Sequence, residues 1–142
     1  MRLRTTLSSF RKALDLGCRA IELDVHAVRD VDDTTQLMVI HDDTVQRTTN
    51  GKGLVSNHTF EQLTKLDAGD GNPIPRLAEV TALVAQHFAD AQPLINIELK
   101  GKGTAAPTAR FLQASPGLAV LISSFDHREL AAFRALDNTT PI

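Results

Sequence analysis

Two short segments carry side chains that could act together on a charged substrate. In residues 20–26, Glu22, Asp24 and His26 fall on one face of an extended strand and Ile21, Leu23 and Val25 on the other, because side chains alternate along a strand. Residues 94–100 repeat the arrangement, with Asn96, Glu98 and Lys100 opposite Ile95, Ile97 and Leu99. In a parallel sheet both faces are covered, and carboxylates buried there without a counter-charge are severely unfavourable. A bound cation resolves that conflict. The bland alternative is the exposed face of an antiparallel strand, which a second strand of the same pattern weakens. Glu22, Asp24 and Glu98 make a hard oxygen cage suited to Mg²⁺ or Ca²⁺, whereas the chain lacks the Cys/His spacing of a structural zinc site. Lys100 can face an anionic substrate or simply neutralise Glu98. His41 closes an apolar run at a strand's C-terminal end, where parallel α/β folds gather their sites, and is the best general acid/base candidate. His58 and His87 read as surface residues. The Gly51-Lys52-Gly53 and Gly101-Lys102-Gly103 turns could offer backbone amides to phosphate, a weak signal.

These groups need elements to hold them. Leu7, Phe10 and Leu14 recur at helical spacing after a Thr5 or Thr6 cap, with Gly17 as terminator. Strands follow at residues 20–26 and 36–41, then a long Asp-, Thr-, Asn- and Gly-rich excursion to Pro75 with a short helix near residues 59–66. Pro75 suits the first turn of a helix whose stripe is Leu77, Val80, Val84 and Phe88. A strand at residues 94–99, a helix at 107–113, a strand at 118–123 and a helix opened by a capping box of Asp126 and Glu129 complete the chain. The fold class is therefore α/β, with about four parallel strands and intervening helices. Four strands are too few for a closed (β/α)₈ barrel of about 250 residues, so a partial TIM barrel is expected. Its two open sheet edges would invite self-association.

Composition narrows the partners. With 142 residues, 42% hydrophobic and 23% charged, the chain can build one core. A net charge of -2 without a long basic run argues against nucleic acid or an anionic membrane surface. No apolar stretch approaches the roughly 18 residues of a membrane span. The basic, acid-free start through Lys12 is loosely like a transit peptide, but its helical pattern favours a place in the fold. One cysteine, Cys18, fits a reducing, cytoplasmic compartment and a small buried residue.

Taken together, Ala20-Ile21-Glu22-Leu23-Asp24-Val25, the run His41-Asp42-Asp43-Thr44-Val45-Gln46-Arg47-Thr48-Thr49-Asn50-Gly51-Lys52-Gly53, Ile95-Asn96-Ile97-Glu98-Leu99-Lys100 and Ser123-Ser124-Phe125-Asp126 resemble the glycerophosphodiester phosphodiesterase family. The resemblance implies a TIM-type barrel that hydrolyses small-molecule glycerophosphodiesters to an alcohol and glycerol 3-phosphate with a divalent metal, Mg²⁺ or Ca²⁺. It implies Glu22, Asp24 and Glu98 as metal ligands, His41 as one of two catalytic histidines and Lys100 as a phosphate contact. Family members open with a strand bearing His-Arg-Gly, and nothing ahead of Thr5 supplies it. The expectation is thus an incomplete domain over residues 1–142 with little activity alone. Two other readings compete: a non-catalytic metal- or phosphate-binding half-barrel that needs a partner chain, and another phosphodiesterase or phospholipase D-like enzyme of similar architecture. The Arg47-Thr48-Thr49 stretch favours the first family.

Overall fold

A computed structural model describes residues 5–88 and 93–142. The elements are α1 (Leu7–Asp15), β1 (Ala20–Arg29), β2 (Thr35–Val39), α2 (Phe60–Thr64), α3 (Leu77–His87), β3 (Leu94–Leu99), α4 (Ala105–Gln113), β4 (Val120–Ser123) and α5 (His127–Leu136), with a 3₁₀ turn at Val55–Asn57. Helix α1 starts where Thr6 accepts a hydrogen bond from the Ser9 amide and ends at Gly17, whose φ of 86° suits a residue without a side chain. Arg2 and Arg4, part of the transit-like reading, lie outside the described residues. No helix among the described residues is long and apolar enough to cross a membrane.

The four strands form one sheet in the order β2-β1-β3-β4. β1 pairs with β3, and β3 with β4, in parallel through helical crossovers, as the pattern predicts. β2 departs from the expectation of four parallel strands, because it runs antiparallel to β1. The reason is the link: residues 30–34 cannot hold the dozen or more residues of a parallel crossover, so the chain turns back as a hairpin. The turn is closed by the Asp30 amide to the Thr34 carbonyl at 2.8 Å, and Asp33 takes a left-handed φ of 63°.

Alternation then divides the molecule. Ile21, Leu23 and Val25 of β1 and Ile95, Ile97 and Leu99 of β3 point toward the helices and join Leu14, Leu77, Val80, Val84, Ala109, Ile122 and Phe133 in the main core. The even-numbered residues of β1 and β3 face the other way. At the far end of that face, Val28, Met38 and Ile40 pack under the excursion, with Val45, Val55, Leu63, Ala68 and Ile74, as a second, smaller core.

Three local expectations change. Pro75 precedes helix α3 rather than entering it; its carbonyl accepts the Val39 amide at 2.8 Å, covering part of the outer edge of β2. Cys18 is exposed, since it lies in the tight α1–β1 connection rather than on a core-facing position. Asp126 does cap α5, accepting from the Arg128 amide, but Glu129 does not close the box. Its carboxylate instead reaches α4, accepting from the Gly103 amide at 2.9 Å and the Ala105 amide at 3.0 Å, so an acid from one helix neutralises the orphan donors of another.

Candidate active site

The parallel register sets Glu22 beside Asn96 and Asp24 beside Glu98, on the sheet face away from the helices. One carboxylate oxygen from each of Glu22, Asp24 and Glu98 lies within 4.8 Å of the others. Lys100, just past the end of β3, brings its Nζ to 2.7 Å from Glu98 Oε1 and 3.4 Å from Asp24 Oδ1. One ammonium against three carboxylates leaves the group acidic. Burial, and then repulsion from Asp24 and Glu98, pushes the Glu22 carboxyl up; burial likewise pushes Asp24 up, with Lys100 opposing. Burial opposes the charge on Lys100, but its contact with Glu98 and the nearby Asp24 outweigh it and hold the ammonium above its ordinary range. Asp24 Oδ1 and Glu98 Oε1 are buried and accept no well-directed hydrogen bond, a state that normally costs free energy unless a cation completes it. Three oxygen donors, two of them buried and sharing one ammonium without a directed hydrogen bond, fit a hard divalent cation. The surrounding strand ends are pinned: Ser123 Oγ lies 2.9 Å from Asn96 Oδ1, and Ser124 Oγ donates to the Leu99 carbonyl at 2.9 Å.

His41 arrives from the other direction. The Ile40 amide donates to the Asp24 carbonyl at 3.1 Å, so the end of β2 is stitched to the carboxylate-bearing part of β1. The imidazole is largely exposed and, together with Glu22, Asp24, Phe10 and Arg47, lines an open cleft of about 720 Å³. Its Nδ1 stands 2.7 Å from Asp42 Oδ1, and Arg47 closes on both oxygens of the same carboxylate. The Arg47 guanidinium holds the Asp42 carboxyl well below the usual carboxylate range, with burial opposing and His41 assisting. Sequence reasoning missed this Asp42–Arg47 pair; an acid and an arginine five residues apart, beginning next to the histidine, were the available signal.

Other candidates fall away. His26 is buried beneath the excursion, its Nε2 without a partner, and burial lowers its pKa toward the neutral form; it is not part of the acidic trio. His58 turns back to the Leu54 carbonyl at 2.6 Å, and His87 lies 3.6 Å from Asp15 outside the cleft lining. The glycine-turn amides have internal partners: Gly51 donates to Thr49 Oγ1, Gly53 to Gln46 Oε1 and Gly103 to Glu129.

Residues 2–142 match the profile of the glycerophosphoryl diester phosphodiesterase family. The chain belongs to that family. It is 39% identical over 138 residues to a glycerophosphodiester phosphodiesterase of Caldanaerobacter subterraneus subsp. tengcongensis, covering 88% of this chain and 54% of that protein. It is 36% identical to a Bacillus altitudinis glycerophosphodiester phosphodiesterase, over 92% of this chain and 56% of the relative. Among solved structures, an Oleispira antarctica phosphodiesterase in complex with the product sn-glycerol-3-phosphate superposes with a TM-score of 0.82 at 30% identity, over 95% of this chain and 57% of the other. Glycerophosphodiester phosphodiesterase from Agrobacterium tumefaciens gives 0.76 at 28% identity, over 93% and 56%. The chain thus spans about half the length of the glycerophosphodiester phosphodiesterases it matches. Its mostly parallel α/β sheet is the corresponding part of their barrel-type fold.

Proposed function

We propose that this chain carries the metal- and phosphate-handling part of a hydrolase that converts glycerophosphodiesters, such as deacylated phospholipids, to an alcohol and glycerol 3-phosphate. Residues 1–142 are read as an incomplete domain of that enzyme. The observation that carries the reading is the convergence of Glu22, Asp24 and Glu98, with Lys100 against them, in a chain of this family. The product held by the Oleispira relative supports the substrate class.

Glu22, Asp24 and Glu98 would hold Mg²⁺ or Ca²⁺, which when bound supplies Lewis-acid polarisation of a phosphoryl oxygen. Lys100, kept charged by its two acidic neighbours, would contact the phosphate. His41, on the cleft wall, transfers a proton to or from a reacting oxygen. Among the described residues His41 is the one imidazole that lines the cleft beside the trio, and turnover by this chain alone is expected to be slight.

The test is calorimetric titration of the 142-residue chain with Mg²⁺ and Ca²⁺, followed by glycerol 3-phosphate, and a hydrolysis assay on glycerophosphocholine. Cation binding should vanish in Glu22→Ala and in Asp24→Asn, and at a cation concentration of a hundred times Kd the wild type should gain about 2.7 kcal/mol of stability. A folded wild-type chain that binds neither cation would overturn the reading. Brisk metal-dependent turnover, lost in Glu22→Ala, would keep the hydrolase and discard the weak-fragment part.

A further inference from the structure

The contacts of His41 go beyond an exposed imidazole at a strand end. Asp42 lies between it and Arg47: one carboxylate oxygen meets His41 Nδ1 at 2.7 Å while the guanidinium grips both oxygens side on. A carboxylate in such a clamp is an acceptor only, so the ring nitrogen facing it must be the one that carries hydrogen. The clamp is itself held by the excursion. Val45 is fully buried between Asp42 and Arg47 in sequence; its amide donates to the Gly53 carbonyl at 3.0 Å, its carbonyl accepts the Thr49 amide at 2.9 Å, and the Val55 amide donates to the Asp43 carbonyl at 2.8 Å. Gly51 completes the fit, because a Cβ there would come within 2.8 Å of the Leu66 side chain.

We propose that Asp42, clamped by Arg47, is a positioning residue that fixes His41 as the Nδ1–H tautomer, leaving Nε2 as the atom that exchanges a proton with the substrate. The consequence for chemistry is directional. A neutral His41 then accepts through Nε2, and the imidazolium donates through the same atom, without a ring flip between the two steps. Arg47 acts on the substrate's chemistry through Asp42 and does not need to touch the phosphate.

This rests on reading His41 as the proton-transfer group, and the two ideas are separable by measurement. Long-range ¹H–¹⁵N correlation spectra of the 142-residue chain, with the His41 signals assigned by loss in His41→Gln, report the tautomer without any turnover. The wild type at a pH where the ring is neutral should show a protonated Nδ1 and a bare Nε2. Asp42→Ala should move the Nδ1 resonance toward the unprotonated position, and Arg47→Gln should move it part of the way, while the backbone spectrum outside residues 41–55 stays in place. A wild-type His41 protonated on Nε2 overturns the proposal with no variant needed, as does an unchanged tautomer in Asp42→Ala. An Nδ1–H ring in a chain whose cation-dependent hydrolysis survives His41→Gln would leave the positioning intact and remove the catalytic reading instead.

Discussion

The two sides of the cleft are built on opposite terms. Glu22, Asp24 and Glu98 stand on paired strands whose register and main core dictate where each side chain points, yet electrostatically they are ill at ease, with Asp24 and Glu98 oxygens buried against a single ammonium and the Glu22 and Asp24 carboxyls pushed upward. His41, Asp42 and Arg47 stand on a loop and are electrostatically content, with Asp42 doubly engaged and pushed downward, but their placement depends on side-chain contacts and on a second core of modest size. A rigid sheet can keep like charges together in readiness for a cation. A loop cannot, and it orders its groups by letting them satisfy one another. This is the ordinary exchange of stability for a prepared site, confined here to one wall of the cleft.

The largest test of that contrast is a cavity in the smaller core. Leu63→Ala, fully buried under the excursion, should cost about 2–5 kcal/mol in denaturant unfolding. It should also loosen residues 41–55 in hydrogen exchange while cation affinity at Glu22, Asp24 and Glu98 changes little; equal loss of cation binding would show that the two walls are not independent. Next in size, Lys100→Met strips the strand wall of its ammonium. We expect a loss of about 2 kcal/mol without metal, below the usual cost of breaking a fully buried pair because the Lys100 side chain is 20% exposed. Added Ca²⁺ should restore most of it, as judged by thermal unfolding.

The smallest effect is one of sign with pH. A carboxyl pushed down in the folded state, such as Asp42, adds stability that is present above its unfolded pKa of about 3.9 and is lost as pH falls through the folded value. One pushed up, such as Asp24, adds stability below its unfolded pKa and loses it as pH rises through the folded value. In metal-free protein at pH 7, Asp42→Asn should therefore lower Tm, by the equivalent of about 0.5 kcal/mol for a pair still in touch with water. Asp24→Asn should raise Tm at the same pH. Like signs for the two variants would erase the distinction between the walls.

The strand wall was legible in the sequence because a two-residue period exposes acids among Ile, Leu and Val, and the same pattern located β1 and β3 and their shared face. The helices were legible from 3.6-residue stripes and caps. The direction of β2 was not, since its apolar run Leu37-Met38-Val39-Ile40 looks the same whichever way it pairs; only the short link at residues 30–34 carries that information. The loop wall was half legible: His41 stood out by type and position, whereas Asp42 and Arg47 meet only once Val45 is buried, a tertiary event. Glu129 misled for a related reason, its spacing from Asp126 suiting a local box while the open amides of another helix lay closer.

That carboxylate also bears on how the chain assembles. Glu129 is separated by 24 to 26 residues from the amides it serves, and those amides start α4. The first amides of α4 are therefore held by a side chain of α5, which couples the two helices across the segment from Gly103 to Leu136. In native-state hydrogen exchange the Gly103 and Ala105 amides should exchange in step with those of α5, and Glu129→Ala should uncouple them.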